Sequence, residues 1–543
     1  MSATATASSS RPTLAIAGAT GFVGQTLRRA LADRFQIIGL TRSTTRAMRV
    51  DSGDPTIWRQ CDLFDPSEVR RALRGVDQVL YLVHSMLPSA RLTQANFMDL
   101  DLLMADTVGR AAVEQQVQRI VYLGGITPTE DRSALSPHLA SRLEVEEALR
   151  AHGASVISLR AGLIVGAGGS SFNMLVNLIR RQPVLILPPW VSTPSQPIAL
   201  ADVVRAVQWS LDRPQGESGV YDIGGPDILT YREMIERVVA VMGLKRPIRT
   251  VSWAPSWLVK RLVSVVSGAP SALVDPLIES QIHPMIASPN PLLDWLQPEA
   301  LGFNAALRRA LDEDRRPVPN PRASLRKQDD ADLRRQRWVR SIQRMDLPPN
   351  WDAPRAGCDY FQWLSSRFWP LIRCENLVDH EGRAAHRFRF LPLGLVLLEL
   401  SHDPETSDRE ACQSYRITGG LLTRPPDAPV PSSMERPVVP PPPQATQADQ
   451  VARSPVPSPV RPRGLFEFRA VLNGTKLLVG IHNYPPRLPW YVYQFTQAQA
   501  HLLVMALFRR RLARLARQRA DEAEMSAPPN LHGPDRLGDV RSS

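Results

Sequence analysis

A doubly wound α/β domain built on a parallel sheet, followed by a smaller α+β domain, is the architecture this sequence predicts, and three observations carry the prediction. Between Thr13 and about Gly166, short β-branched runs alternate with longer helical patterns, the signature of repeated βαβ units. The first run leads directly into a glycine-rich turn, Gly18-Ala-Thr-Gly21-Phe-Val-Gly24, and then into a helical pattern from Gln25 to Asp33. The chain of 543 residues is also too long for one core, because cores stop growing at roughly 250–300 residues.

The expected strands of the first domain are Leu14–Ala17, Gln36–Leu40, Thr56–Cys61, Gln78–Val83, Arg119–Leu123 and Ser155–Leu159, each short, apolar and closely followed by helix-forming sequence. Past Gly166 the pattern loosens into a substrate lobe. It comprises a helix over Phe172–Arg180, a strand over Val184–Leu187, a helix from Asp202, a strand over Val220–Ile223 and a helix from Thr230. Helical stretches between Ser256 and Leu301 are broken by Pro270, Pro276, Pro284 and Pro289.

These patterns divide the chain into a disordered tail (1–11), a nucleotide-binding domain (12–319), a charged linker (320–337), an α+β domain (338–520) and a second disordered tail (521–543). In the second domain an aromatic helix, Asp359–Trp369, precedes extended runs at Ala385–Phe390, Leu395–Leu400 and Ser414–Leu422. Leu465–Leu472 and Thr475–Ile481 flank Asn473-Gly474, which predicts a hairpin with a type I′ turn. A long helix over Tyr493–Arg519 closes the domain. The stretch 425–462, with four prolines from Pro440 to Pro443, is read as a disordered insertion, because its composition buries too little surface to offset its ordering entropy.

Composition narrows the function classes. Cys61, Cys358, Cys374 and Cys412 have no paired spacing, which argues against a disulfide framework and a zinc site, so no metal and a reducing, cytoplasmic setting are expected. The net charge of +12 favours anionic partners, yet lysine is confined to Lys245, Lys260, Lys327 and Lys476, the remaining cations are dispersed arginines, and no nucleic-acid motif accompanies them. The first residues lack the apolar segment of a secretory signal. Leu502–Phe508, the longest apolar run near the C-terminus, falls far short of the roughly 20 residues a spanning helix needs.

The glycine turn predicts a dinucleotide site. Gly18 allows the tight turn, Gly21 the close approach of backbone to a pyrophosphate, and Gly24 the close packing of helix on strand, with Thr20, Phe22 and Val23 completing the loop. The following helix presents unpaired N–H groups and a partial positive charge to the phosphates. The second strand ends at Arg42-Ser43, where an NAD-specific protein usually places an acid; an arginine can receive the 2′-phosphate, so NADP(H) is expected ahead of NAD(H).

The G-x-x-G-x-x-G spacing resembles that of the extended and atypical short-chain dehydrogenases/reductases. The resemblance implies a Rossmann domain in which Asp62 and Leu63 contact the adenine, and Leu82, Val83 and His84 pass beneath the ribose and nicotinamide. Asp62 also reads as an ordinary turn residue. Reductases of this superfamily pair a tyrosine with a lysine four residues later, plus a serine ending the fifth strand; here Gly124-Gly125, His138 and Arg142 hold those places. Arg142 can bind ribose or phosphate but cannot shuttle a proton. His138 can serve as an acid near neutrality or be a plain helix N-terminal residue. Tyr122 reads as core and Ser141 as a surface serine.

Taken as a set, Tyr81–Met86, Leu159–Gly168, Leu187–Trp190, Pro197–Leu200 and Asp222–Pro226 resemble bacterial NAD(P)H-binding atypical reductases that carry a C-terminal domain of unknown function. The second domain more loosely resembles helix-grip (START-like) folds, which implies a cavity for an apolar small molecule, although the aromatic helix is read as core. The arginines ending the last helix are read as complementing its own dipole, in preference to peripheral membrane contact. The expected function is an oxidoreductase acting on an apolar small molecule; the alternative is a non-catalytic NADP(H)-binding sensor or assembly protein.

Overall fold

The computed structural model describes residues 11–47, 53–84, 92–129, 131–250, 256–267, 271–320, 338–408, 410–424 and 464–526. The first part of the chain supplies β1 (Thr13–Ala17), α1 (Phe22–Leu31), β2 (Gln36–Thr41), β3 (Ile57–Gln60), α2 (Pro66–Ala72), β4 (Gln78–Tyr81), β5 (Leu92–Gln94), α3 (Phe97–Glu114), β6 (Arg119–Gly125), α4 (Pro137–Arg150), β7 (Val156–Ala161) and β8 (Gly219–Ile223). All these strands except β5 form one sheet in the order β8-β7-β6-β4-β1-β2-β3, with every neighbouring pair parallel.

Alternation explains why the central strands read as unbroken apolar runs. Leu14 and Ile16 enter the core on one face with Leu27 of α1, while Ala15 and Ala17 enter the core on the other face with Val108 of α3. The chain winds outward through β2 and β3, then returns to the opposite side of β1 with β4. That reversal opens a crevice at the C-terminal ends of β1 and β4, the place where doubly wound sheets bind ligands.

The second part folds as β9 (Val339–Asp346), α5 (Ala353–Arg367), β10 (Ile372–Val378), β11 (Ala384–Phe390), β12 (Leu395–His402), β13 (Cys412–Gly419), β14 (Leu465–Val471), β15 (Lys476–Tyr484), α6 (Trp490–Phe495) and α7 (Gln497–Ser526). Its eight-stranded sheet runs β10-β11-β12-β13-β14-β15-β9-β5, antiparallel except that β5, lent by the first part of the chain, pairs parallel with β9. The hairpin turns at the expected Asn-Gly pair, in a loop from Leu472 to Thr475 in which Leu472, Asn473 and Gly474 all adopt positive φ (51°, 54° and 75°) and Thr475 N–H donates to Leu472 O at 3.2 Å.

The aromatic helix is core. Tyr360, Phe361 and Trp363 of α5 pack with Phe466, Phe468 and Phe508, filling the space between helices and sheet. The expected single closing helix is instead two, broken at Thr496 (φ −120°, ψ −84°), and the second runs on to Ser526. Its apolar side is occupied within the fold: Phe508 and Leu512 are buried, and Arg511 pairs with Asp359 at 2.7 Å. The insertion 425–462 and nearly all of the linker fall outside the described residues. Among the described residues, no helix is long and apolar enough to cross a membrane.

Arginines of the second sheet, Arg344 partly and Arg469 fully buried, tie it to acids of α3 and α4. Arg344 reaches Asp99 at 2.6 Å and grips Glu144 bidentately at 2.7 and 2.8 Å; Arg469 reaches Asp106 and Glu467, both at 3.0 Å. His482 is buried beside this network with neither ring nitrogen hydrogen-bonded, its Nε2 3.9 Å from Glu467. Burial, helped by the charges of Arg340 and Arg469, outweighs the opposing pull of Glu467 and Asp62 and brings its pKa to about 4. A histidine whose folded pKa is depressed adds stability above its unfolded pKa of about 6.5, and that stability disappears as pH falls toward 4. His482→Leu is therefore expected to flatten the fall in melting temperature across that window; an unchanged profile would contradict this.

Candidate functional site

At the crevice the backbone makes an anion cradle. Gly18 has φ +91°, and a Cβ there would meet the Leu82 backbone and Cβ at 3.2 Å, so the turn after β1 lies directly against the segment after β4. A Cβ on Gly24 would sit 2.3 Å from Gly18 O and 2.9 Å from Ala19 Cα, inside backbone atoms that cannot yield. Gly21 N–H donates to Gly18 O at 2.9 Å, closing the turn. The N-cap of α1 is Gly21, which has no side chain to satisfy the first turn, and the first helical bond is Gln25 N–H to Gly21 O at 2.9 Å. The N–H groups of Phe22, Val23 and Gly24 thus precede the helical ladder, as an anion site requires. Phe22 closes the far side, its ring against the backbone positions of Gly166 and Gly169.

The neighbouring positions fall around this cradle. Arg42 is exposed at the end of β2, and Ser43 Oγ accepts from Arg46 N–H at 3.3 Å to cap the short helix that follows. Trp58 of β3 lies between two cations, the Arg28 guanidinium 4.9 Å and the Arg46 guanidinium 5.4 Å from its ring centre. After β3, Leu63 is buried, and Asp62 makes both a turn and an ion pair: Oδ1 accepts from Phe64 N–H at 3.3 Å, and Oδ2 from Arg340 of the second sheet at 2.8 Å. Although burial pulls the Asp62 pKa upward, the charges of Arg340 and Arg42 hold it below the usual carboxylate range. Arg340 also stacks 3.8 Å over the ring of Phe64.

Beneath the end of β4 lies a second cluster. Arg142 does not reach the crevice surface; its Nη2 donates to Asp101 Oδ2 at 2.6 Å and lies 2.6 Å from His84 Nδ1, which itself stands 2.7 Å from the same carboxylate oxygen. Asp101 and Arg142 are almost wholly buried. The rings of His84 and His138 lie 5.0 Å apart, and His84 Nε2 and His138 Nδ1 are buried without a hydrogen-bond partner. Burial, then the charges of His84 and Arg142, hold His138 well below its ordinary pKa. Burial and Arg142 outweigh Asp101 and lower His84 as well. Both imidazoles are therefore held in the neutral form at pH 7, so His138 is not the acid titrating near neutrality that the sequence suggests. Tyr122 is core, its hydroxyl donating to Arg142 O at 3.1 Å.

Ser141, expected on the surface, is instead fully buried, because α4 turns that side toward α3, where Asp101 Oδ2 accepts from its hydroxyl at 3.5 Å. Asp101 and Arg340 escaped the sequence reading. One signal for Asp101 was present: Asp99, Asp101 and Asp106 punctuate the apolar helix α3, and acids on a buried helix need cationic partners. Among the described residues, no group of three His, Cys, Asp or Glu is placed to hold a metal ion.

Residues 14–224 match the model of the NAD dependent epimerase/dehydratase family. A curated relative, the Auxiliary protein GraX of Staphylococcus aureus, is 30% identical over 115 residues, which make up 21% of this chain and 37% of that protein. The matched stretch thus spans little more than a third of the relative. Among solved structures, Citrobacter sp. triphenylmethane reductase complexed with NADP(H) is similar at a TM-score of 0.44 and 18% identity, covering 55% of this chain and 100% of that one. Bordetella bronchiseptica WbmH in complex with NAD+ is similar at a TM-score of 0.41 and 17% identity, covering 56% and 99%.

Proposed function

We propose that the chain is an NADP(H)-dependent oxidoreductase acting on a small apolar molecule, organised as a nucleotide-binding domain (12–319) and a helix-grip-like domain (338–520). The observation that carries this reading is the cradle of Gly18, Gly21 and Gly24 against Leu82, open toward the N-terminus of α1 and too tight for any side chain at Gly24. The cofactor would supply or accept hydride. Phe22, Val23 and Gly24 would hold the pyrophosphate through backbone N–H groups, Asp62 and Leu63 the adenine side, and Leu82, Val83 and His84 the ribose and nicotinamide side, with Thr20 in the loop between. Arg42 and Ser43, on a strand end without an acid, support NADP(H) ahead of NAD(H).

For His138 the role proposed is to hold a hydrogen bond to a substrate oxygen, because its Nδ1 is buried and otherwise unpartnered. Arg142 acts through His84: paired with Asp101, it fixes that imidazole's orientation. His138→Ala is expected to lower kcat for NADPH oxidation by about 100-fold in a panel of quinones, aldehydes and enones, while leaving nucleotide affinity nearly unchanged. Turnover equal to the parent's would remove His138 from the site.

One observation favours the alternative, a non-catalytic NADP(H)-binding sensor or assembly protein. The place a proton-shuttling lysine takes in reductases is filled by Arg142, a permanent cation already committed to Asp101. The curated relative's designation as an auxiliary protein leans the same way. Tight binding without turnover across the substrate panel would select it.

A further inference from the structure

One end of the second sheet is apolar and basic, while its opposite end is acidic. The antiparallel pairing brings together the α5–β10 turn, the β11–β12 turn, the segment after β13 and the segment after β15: Ile372 pairs with Phe390 and Phe390 with Leu395, Leu421 N–H donates to Val396 O, and Arg487 N–H donates to Leu422 O. There Trp369, Leu371, Leu393, Leu421, Tyr491 and Phe495 stand exposed, from 42% for Leu421 to 75% for Phe495. The same four segments, 365–373, 389–398, 417–424 and 484–495, carry Arg367, Arg373, Arg389, Arg424 and Arg487 and not one Asp or Glu. At the other end, residues 379–383 and 402–411 carry Asp379, Glu381, Asp403, Glu405, Asp408 and Glu410, and part of that end is spent on the first domain, with Arg110 on Asp408 and Arg70 on the backbone of Glu405.

Large apolar and aromatic groups cost free energy in water, and clustered on one rim they mark a contact surface. Tryptophan, tyrosine and leucine beside arginines, of which Arg389 is offset by Glu375 at 3.3 Å, match the headgroup boundary of an anionic bilayer, where amphipathic rings and cations are both favoured. We infer that this end of the second sheet docks on an anionic lipid surface, seating the chain peripherally with no spanning element. The contact lies on the sheet rim and is separate from the basic end of α7, whose apolar side is packed inside the fold. It is independent of the nucleotide site.

The test is co-sedimentation of the full chain with sucrose-loaded vesicles of phosphatidylcholine alone, and of phosphatidylcholine with phosphatidylglycerol at about 30%. The expected result is binding to the mixed vesicles that weakens with salt and falls roughly fivefold for each of Arg373→Gln and Arg487→Gln. Trp369→Ala and Phe495→Ala should also release the protein. The arginine variants, at exposed positions with intact circular dichroism, keep the test decisive should the aromatic variants misfold. No binding to the mixed vesicles would overturn the inference. So would self-association that these substitutions abolish without vesicle binding, which gives the rim to a second copy, or binding seen only when residues 425–462 are deleted, which gives it to that segment.

Discussion

Replacing Gly24 by alanine is expected to abolish nicotinamide nucleotide binding, lowering affinity for NADPH by at least about 100-fold, or roughly 2.7 kcal/mol. The added Cβ meets only backbone, 2.3 Å from Gly18 O and 2.9 Å from Ala19 Cα, so the turn must open or α1 must move off β1, and either shift disperses the N–H groups proposed to hold the phosphates. Gly153→Ala is the control: its φ of +86° makes it a strained substitution too, but its Cβ meets nothing within 4 Å and the residue lies outside the crevice segments, so stability falls while binding persists. Titration calorimetry separates the two. A Gly24→Ala protein that binds like its parent would show that the cradle is not where the nucleotide sits.

Arg469→Met is expected to be the costliest single change in the second sheet, at about 3–5 kcal/mol. It would leave Glu467, whose side chain is 1% exposed, as a buried carboxylate without its cation, take from Asp106, 3% exposed, one of two arginines while Arg110 stays at 2.8 Å, and free Thr107 Oγ1, to which Arg469 donates at 2.8 Å. Because Asp106 sits on α3, the loss reaches the first part of the chain, and thermal unfolding of both parts should move down together. Replacing Arg469 and Glu467 jointly by apolar residues of similar size, with Asp106 kept as the partner of Arg110, should restore much of the loss, since burying an ion pair seldom outperforms hydrophobic packing. An Arg469→Met protein melting within a degree or so of the parent would contradict the view that this network binds the halves together.

What the sequence disclosed, and what it withheld, follows from range. The turn Gly18–Gly24 was legible because its requirements are local: a strand, three glycines at fixed spacing and a helix start within a dozen residues. The Asn473-Gly474 turn was legible for the same reason. The edge strand Leu92–Gln94 was not, since three residues carry no periodicity and it exists only because β9 lies alongside. Asp101 and Arg340 were hidden by distance along the chain, their partners Arg142 and Asp62 being 41 and 278 residues away. His138 was visible as the occupant of the place where the resembled reductases carry their tyrosine, but its neutrality depends on burial beside His84 and Arg142, a tertiary property.

Calorimetric titration of the full chain with NADPH and then NADH tests the central claim most directly. A glycine cradle feeding the N-terminus of α1, with Arg42 beside it, calls for saturable one-to-one binding, tighter for NADPH, and a melting temperature that climbs with nucleotide concentration. Absence of heat and of any thermal shift with either nucleotide, in protein that melts cooperatively, would contradict it.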